Sequence, residues 1–459
     1  MVTYLFVALF VALIGYFVYF EAVKSEVFIN SSYNKRQDLF AKTVVRGEIL
    51  DRNGEVLAKT VVGEDGTETR KYPYGKTFAH VVGYATNGKS GIESYMNFRL
   101  LTSHAFILER LGNEFKGEKN TGDNVVTTLD LDLQQTAYDA LGSHNGAVIV
   151  LEPSTGKILA MVSKPDYDPN TIAEKWDSIT SPDNTESVLL NRATQGLYPP
   201  GSTFKILTAM EYMRENPSFD KYRYECSGSD TFGGNVIRCY NGEHHGTVDL
   251  KSSLAHSCNG SFAHIGVGLN RKSYRKLCEA FGFNSSLGVK FVSSRSRFVL
   301  DEKSDTAEAA QTAIGQGKTT ITPLQNALIS ATIANDGVMM TPYLVDHTES
   351  VDGHVVKKYE PQEKRTAISR KRANQVTRMM RSVVSDGTAA ALRNLSYPVA
   401  GKTGTAEIDS EGTSHAWFVG FAPAADPKIA VSVIVEGAGT GSQYAVPIAA
   451  KMLEEYLGN

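Results

Sequence analysis

The stretch Gly146-Ala147-Val148-Ile149-Val150-Leu151 is almost entirely apolar, and Ile158-Leu159-Ala160-Met161-Val162 repeats this character a few residues later. Between them, Pro153-Ser154-Thr155-Gly156 has the composition of a turn. Short apolar runs bounded by turn residues are typical of buried strands. We therefore predict a buried pair of strands that begins at Gly146.

A second group of apolar runs lies near the end of the sequence. Trp417–Ala422 and Ile429–Val435 read as strands, and Ala445–Leu457 reads as a helix. The sequence between the two groups is mostly helical, as at Thr322–Asn335 and Asn374–Val384. Strands at both ends with helices between them predict one sheet built from distant segments, in an α/β domain over residues 146–459.

The sequence before this domain has a different texture. Arg46–Leu57 predicts two short strands around an Asn53-Gly54 turn, which is a strong hairpin signal. Thr127–Leu141 has apolar residues at helical spacing, and the rest is mixed. We predict a small α+β module over residues 21–145, which begins with a polar, helical stalk at Glu21–Phe40.

The first segment is a candidate membrane anchor. Tyr4–Phe20 contains no charged residue and is followed at once by Glu21 and Lys24. Roughly 17 residues is the short end of what spans a hydrocarbon core. We predict an uncleaved transmembrane helix over residues 1–20. A cleaved signal peptide, which usually has a basic start and a small-residue cleavage site, and a buried core helix remain alternatives.

Composition and charge narrow the function classes. The 459 residues are 42% hydrophobic and 21% charged, which is ordinary for a globular protein. Their 47 Lys+Arg nearly balance 50 Asp+Glu, for a net charge of −3. A nucleic-acid-binding protein would be expected to carry a basic excess or patch, so we predict no nucleic-acid partner.

The sequence contains four cysteines: Cys226, Cys239, Cys258 and Cys278. In an exported protein Cys226 could pair with Cys239. Together with His244 and His245 these thiols could alternatively form a zinc site, but no Cys-x-x-Cys spacing is present. We favour unpaired, chemically inert thiols and predict no metal site.

A candidate nucleophile lies at Ser202-Thr203-Phe204-Lys205, where Tyr198-Pro199-Pro200-Gly201 leads into a helix-forming run. Ser202 and Lys205 are one helical turn apart, so they lie on one face. A serine hydroxyl needs a base, and a lysine can serve only as the neutral amine. Lowering its pKa from about 10.4 to near 7 costs roughly 4–5 kcal/mol, which requires burial or a nearby cation.

Two further short motifs follow in the chain. Ser257-Cys258-Asn259 offers a hydroxyl that can relay a proton and an amide that can orient a carbonyl or the lysine. Lys402-Thr403-Gly404-Thr405 offers a cation and hydroxyls for a carboxylate, on an edge strand where Gly404 would let a ligand backbone approach. Each motif is weak alone. Ser-x-x-Lys also occurs at Ser32–Lys35, Ser154–Lys157, Ser218–Lys221 and Ser273–Lys276.

The three motifs in this order resemble those of β-lactamases and penicillin-binding proteins. The resemblance to class B, or monofunctional, penicillin-binding proteins runs from about Arg46 to the C-terminus. It includes Arg46–Leu57, Gly122–Asp130 with Gln134, Ala147–Pro165, Asn191–Lys205, Gly315–Gly317, Thr322–Gln325 and Trp417–Pro423. The resemblance implies a serine transpeptidase domain, in which an antiparallel sheet is flanked by helices.

The resemblance also implies a reaction. Ser202 would attack the penultimate D-Ala carbonyl of a peptidoglycan stem pentapeptide and release the terminal D-Ala. Lys205 would be the base, Ser257 would carry the proton to the leaving amine, and Asn259 would place the substrate. An amine of a neighbouring stem peptide would then resolve the acyl-enzyme, and a β-lactam would acylate Ser202 with slow release.

The binding residues follow from the same resemblance. Lys402 and Thr403 would hold the terminal carboxylate, and the backbone N–H groups of Ser202 and Thr405 would form the oxyanion hole. No cofactor is implied. The implied setting is a single-pass membrane protein with an extracytoplasmic catalytic domain and a polytopic SEDS-family glycosyltransferase as partner.

Three other functions are considered. A bifunctional class A enzyme is not expected, because residues 1–145 leave no room for a glycosyltransferase domain. A β-lactamase-like hydrolase would share the three motifs but would have to release the acyl group rapidly. A non-catalytic β-lactam sensor or cell-wall scaffold remains the alternative from outside the enzymes.

Overall fold

The computed structural model describes residues 2–21, 41–408 and 412–458. Apart from Glu21, the predicted stalk Glu21–Phe40 lies outside these ranges. The N-terminal helix Val2–Tyr19 has a mean hydropathy of 2.2 and no buried residue. Within the described residues it is the one helix long and apolar enough to cross a membrane. A buried core helix is therefore the wrong interpretation of this segment.

The strands follow one another through the whole described chain. They are β1 (Val44–Val45), β2 (Ile49–Leu50), β3 (Val56–Val62), β4 (Glu68–Lys71), β5 (Asn120–Thr121), β6 (Asn124–Thr127), β7 (Gly146–Leu151), β8 (Ile158–Lys164), β9 (Tyr224–Cys226), β10 (Ser229–Phe232), β11 (Asn235–Arg238), β12 (Gly246–Val248), β13 (Val338–Met340), β14 (Val345–Glu349), β15 (Val355–Lys358), β16 (Glu363–Thr366), β17 (Ala400–Glu407), β18 (Ser414–Ala422) and β19 (Ile429–Val435).

The α-helices of the described residues lie mostly between β8 and β17. They are α1 (Val2–Tyr19), α2 (Ala79–Val82), α3 (Gly91–Tyr95), α4 (Asn97–Leu100), α5 (Ile107–Lys116), α6 (Leu131–Leu141), α7 (Ile172–Ile179), α8 (Arg192–Gln195), α9 (Lys205–Glu215), α10 (Leu250–Ala255), α11 (Asn259–Gly268), α12 (Arg271–Ala280), α13 (Thr306–Ala313), α14 (Pro323–Ala334), α15 (Arg370–Ser385) and α16 (Gly441–Leu457).

The central sheet has five antiparallel strands in the order β17-β18-β19-β7-β8. Every residue of β7, β8 and β19 is buried, which explains why the sequences of these strands are mostly apolar. Helices α14 and α16 pack against the sheet, and α6 packs against both α16 and β8. The predicted sheet of distant segments, flanked by helices, is confirmed.

A second sheet combines strands of the N-terminal module with two strands, β14 and β15, that come much later in the chain. Its order is β15-β14-β6-β2-β3-β4, so β14 and β15 extend a sheet that otherwise belongs to residues 49–127. The predicted hairpin is confirmed as β2 and β3. At its turn the Asp51 carboxylate accepts hydrogen bonds from the backbone of Asn53 and Glu55, and Gly54 adopts φ +92°.

A buried ion network holds the N-terminal module together. The fully buried Glu93 carboxylate lies 2.5 Å from the Arg46 guanidinium and 2.7 Å from that of Arg70. Burial alone would raise the pKa of Glu93, but the two arginines outweigh it and lower the pKa. The Glu93 carboxylate stabilises the module, because removing it would leave two buried guanidinium groups without a partner.

Candidate active site

Ser202 lies in a 3₁₀ turn, Gly201–Phe204, that leads directly into α9. Gly201 adopts φ +55° and donates its N–H to the Gly315 carbonyl at 2.9 Å. A side chain at Gly201 would come within 2.8 Å of the Thr405 carbonyl oxygen on β17. The turn is therefore fixed between the Gly315 segment and the edge strand, which places Ser202 beside β17.

The residues around Ser202 are anchored by side-chain hydrogen bonds. Thr203 Oγ1 donates to the Pro200 carbonyl at 2.8 Å and accepts from Asn326 Nδ2 at 3.2 Å. Trp417 Nε1 donates to the Pro199 carbonyl at 3.2 Å. Because these partners lie on α14 and β18, the turn that carries Ser202 is held by elements of the core.

Lys205 lies on the first turn of α9 and is completely buried. Its Nζ donates to the Ser257 carbonyl and to Asn259 Oδ1, both at 2.6 Å, and to Ser257 Oγ at 3.2 Å. Burial lowers the pKa of Lys205 to about 8, although the nearby thiols Cys258 and Cys239 act in the opposite direction. The desolvation that the sequence argument required is present.

Ser257 and Asn259 lie at the junction of α10 and α11. Ser257 adopts φ +58°, a backbone conformation that is rare for residues other than glycine and is often found at functional sites. The Asn259 amide is fixed at both ends, since Oδ1 accepts from Lys205 and Nδ2 donates to the Arg238 carbonyl at 2.7 Å. The junction therefore presents one hydroxyl and one oriented amide to Lys205.

Lys402 reaches the same hydroxyl from β17. Its Nζ donates to Ser257 Oγ and to the Thr403 carbonyl, both at 2.9 Å, and its side chain is fully buried. Burial, and then the charge of Lys205, hold the pKa of Lys402 well below its ordinary value. Two amines therefore flank one hydroxyl.

The surface above these groups is a cleft of about 1250 Å³. Of the sequence-predicted residues, those that line it are Ser202, Ser257, Asn259, Thr403 and Thr405. Lys205 and Lys402 are buried, with their amines at Ser257, one of the lining residues. The structure thus brings the three motifs together, but it directs the Lys402 amine toward Ser257.

Gly404 requires a correction. We expected its missing side chain to admit a ligand backbone, but a Cβ at this position would lie 2.9 Å from Trp417 Cβ and 3.1 Å from Thr203 Cγ2. Both are atoms of the protein interior. The missing side chain of Gly404 therefore lets β17 pack closely against the turn that carries Ser202.

Thr388 is a residue that sequence reasoning missed. Its hydroxyl lies 2.5 Å from that of Thr403, and it lines the same cleft. The preceding Gly387 packs so closely on α10 that a side chain there would meet the Ala255 carbonyl at 2.1 Å. A lone Gly-Thr pair after a helix carries no motif signal, so only the folded structure could identify it.

The chain matches two family descriptions. Residues 146–454 match "Penicillin binding protein transpeptidase domain", and residues 46–125 match "Penicillin binding protein A dimerisation domain". Among characterised proteins, it is 35% identical to the peptidoglycan D,D-transpeptidase PbpA of Mycolicibacterium smegmatis, over 88% of this chain and 87% of that protein. It is 30% identical to MrdA of Haemophilus influenzae, over 84% of this chain and 69% of that one.

Solved structures agree with these relatives. Penicillin-binding protein A from Mycobacterium tuberculosis, solved as its penicillin G acyl-enzyme, matches with a TM-score of 0.82 and 32% identity, over 90% of this chain and 100% of that one. A D,D-transpeptidase domain from Eggerthella lenta gives a TM-score of 0.82 and 32% identity, over 90% and 98%. These relatives favour the transpeptidase over the hydrolase, sensor and scaffold alternatives. The chain belongs to the class B penicillin-binding proteins and is a serine-type peptidoglycan D,D-transpeptidase.

Proposed function

We propose that Ser202 is the nucleophile of this transpeptidase and that Lys205 is its base. One observation carries the proposal, namely the Ser257 hydroxyl held between two buried amines, one of them a single turn from Ser202. The Ser202 oxygen attacks the penultimate D-Ala carbonyl of a stem pentapeptide while neutral Lys205 takes its proton. Ser257 passes a proton to the leaving D-Ala nitrogen, and an ester on Ser202 remains.

The second half-reaction reverses the proton path. An amine of a neighbouring stem peptide attacks the ester carbonyl, gives up a proton through Ser257 and Lys205, and releases Ser202 as the new amide forms. Both half-reactions pass through an oxyanion, which the backbone N–H groups of Ser202 and Thr405 stabilise. Removing one such donor typically slows acyl transfer by about 10²–10³-fold.

Substrate binding uses the edge strand. The Thr403 and Thr405 hydroxyls, which line the cleft, bind the terminal carboxylate of the stem peptide. Lys402 lies beneath these hydroxyls and assists through its hydrogen bond to Ser257 Oγ. Asn259 directs its remaining amide hydrogen to the substrate carbonyl while its oxygen orients Lys205. Gly404 keeps this strand close to the Ser202 turn.

Acylation by a β-lactam tests the nucleophile. Intact mass spectrometry after exposure to benzylpenicillin should show one covalent adduct on the wild type and none on Ser202→Ala. Ser154→Ala is the matched control, because Ser154 also precedes a lysine by three residues but lies in the β7–β8 turn. An adduct that persists on Ser202→Ala, or is lost on Ser154→Ala, would contradict the assignment.

The N-terminal module supplies the setting for this reaction. α1 anchors the protein as a single membrane span, with residues 41–458 on the extracytoplasmic side. The partner is a SEDS-family glycosyltransferase, whose contact surface includes the apolar face of α5. The large apolar side chains exposed at the N-cap and along this helix are Phe106, Ile107, Leu108, Leu111 and Phe115.

Co-purification tests this surface. Leu108→Glu should reduce recovery of the co-expressed glycosyltransferase, because it adds a charge to the apolar face of α5. Val292→Glu is the control, since Val292 is 72% exposed and lies in another part of the chain. Equal recovery with both variants would argue against α5 as the contact surface, while the catalytic proposal would be unaffected.

A further inference from the structure

Three of the four cysteines converge beside the active site. Cys226 ends β9, Cys239 follows β11, and Cys258 caps the N-terminus of α11. His245, which precedes β12, joins them. One potential ligand atom from each residue lies within 4.8 Å of all the others.

The distances within this cluster match a tetrahedral metal site. Zinc binds thiolate sulfur at about 2.3 Å and imidazole nitrogen at about 2.0–2.1 Å, so tetrahedral geometry separates two sulfurs by about 3.8 Å and a sulfur from a nitrogen by about 3.5 Å. The Sγ atoms of Cys226 and Cys239 lie 3.7 Å apart, and those of Cys239 and Cys258 lie 3.8 Å apart. Cys226 Sγ lies 3.4 Å from His245 Nδ1.

A disulfide explains the cluster less well. A sulfur–sulfur bond is about 2.05 Å long, and three thiols cannot all be paired in one bond. The described cysteines are unpaired, and Cys278 lies apart from the cluster in α12. The sulfurs instead keep the spacing that a shared central atom would impose.

Polar groups next to the cluster suit metal ligands. The Ser261 backbone N–H donates to Cys258 Sγ at 3.4 Å, at the positive end of α11. The other ring nitrogen of His245, Nε2, lies 3.5 Å from the Glu243 carboxylate. A carboxylate is a usual hydrogen-bond partner for the second nitrogen of a metal-bound imidazole.

We propose that Cys226, Cys239, Cys258 and His245 bind a structural Zn²⁺ ion that fixes the position of the Ser257–Asn259 junction. Three thiolates and one imidazole are a typical closed zinc site, which has no open position for chemistry. The ion ties the β9–β12 segment to the start of α11. We had expected inert thiols and no metal, and the zinc site replaces that expectation. The site does not depend on the roles proposed for Ser257 and Asn259.

Metal content is the direct test. The full-length protein, purified in detergent without chelators or a histidine tag, should contain about one zinc per chain by plasma mass spectrometry, and X-ray absorption should show a zinc–sulfur shell. His245→Ala and Cys239→Ser should lose most of the zinc. Cys278→Ala is the matched control and should retain it. Glu243→Gln should weaken zinc binding by about tenfold or more.

A measurement on the wild type covers the case in which the variants fail to fold. Chelation should lower the melting temperature and slow benzylpenicillin acylation, and added Zn²⁺ should restore both. The proposal is overturned if protein supplied with zinc binds none, if another metal occupies the site at equal stoichiometry, or if intact mass shows a disulfide. Retention of zinc by His245→Ala and Cys239→Ser would also overturn the ligand set.

Discussion

The pH dependence of acylation follows from the burial of Lys205. A lysine with the ordinary pKa of about 10.4 is neutral in about 0.04% of molecules at pH 7. With a pKa of about 8, the neutral fraction of Lys205 at pH 7 rises to about 9%. Burial therefore increases the population of the competent base by about 200-fold at neutral pH.

This population predicts the shape of the rate profile. The second-order rate constant for acylation by benzylpenicillin should rise about tenfold from pH 6 to 7, about fivefold from pH 7 to 8 and less than about twofold from pH 8 to 9. It should then stay level, because Lys205 is already neutral. A fluorescent penicillin followed by stopped flow measures the constant, with circular dichroism to confirm that the protein remains folded.

A second lysine provides a control. Burial, and then Arg365, also lower the pKa of Lys364 to about 8. Its Nζ donates to the Ser286 carbonyl, and neither residue lines the cleft of the three motifs. Lys364→Met should therefore leave the profile unchanged. An inflection near pH 10, or a rate already level at pH 6, would refute the assignment of Lys205 as a base activated by burial.

Three further substitutions test the N-terminal module, the packing of β17 and the lining of the cleft. Glu93→Ala should lower the free energy of unfolding by about 3–5 kcal/mol, because two buried guanidinium groups lose their carboxylate, and urea unfolding that shows less than about 1 kcal/mol would contradict this. Gly404→Ala should reduce the rate of acylation because the added Cβ displaces the turn of Ser202, and not because it blocks the cleft. A crystal structure of this variant with an unmoved turn would count against that reason. Thr388→Val should raise the KM for a D-Ala-D-Ala peptide more than it lowers kcat, and steady-state kinetics with the reverse pattern would exclude a binding role.

The sheet was predictable because its signal is local and strong. Strands such as β7 and β19 are buried on both faces, so their sequences are almost entirely apolar and bounded by turns. The hairpin of β2 and β3 was predictable for a similar reason, since the Asn53-Gly54 pair fixes the turn. The pairing of β14 with β6 was not, because four of the five residues of β14 are polar and its partner lies far away in the sequence.

The three motifs were predictable as residues but only partly as geometry. The sequence predicted Ser202 and Lys205 one turn apart at the start of a helix, and the structure has Ser202 in the 3₁₀ turn that leads into α9 and Lys205 at the first residue of α9. The direction of Lys402 depends on the pleat and register of β17, and the environment of Gly404 depends on Trp417 from a neighbouring strand. Neither is encoded in the Lys-Thr-Gly triplet itself.

The cysteine cluster escaped prediction for the same reason. Its members lie on separate elements, at the end of β9, after β11, before β12 and at the N-cap of α11, so they form no compact spacing that resembles a known zinc motif. Sequence reasoning grouped the cysteines with His244 and His245 as an alternative zinc site but favoured inert thiols. It had no means of seeing that folding brings Cys258 to complete the set.

The pairing of β14 with β6 determines where this protein can be truncated for expression. Residues 345–349 pair with residues 124–127, so a soluble fragment that starts at Gly146 would expose a bare strand edge on β14. Such edges recruit other chains, and aggregation during expression would follow. Fragments intended for crystallisation or inhibitor screening should therefore begin near residue 41, beyond the apolar helix α1 but ahead of every strand that forms this sheet.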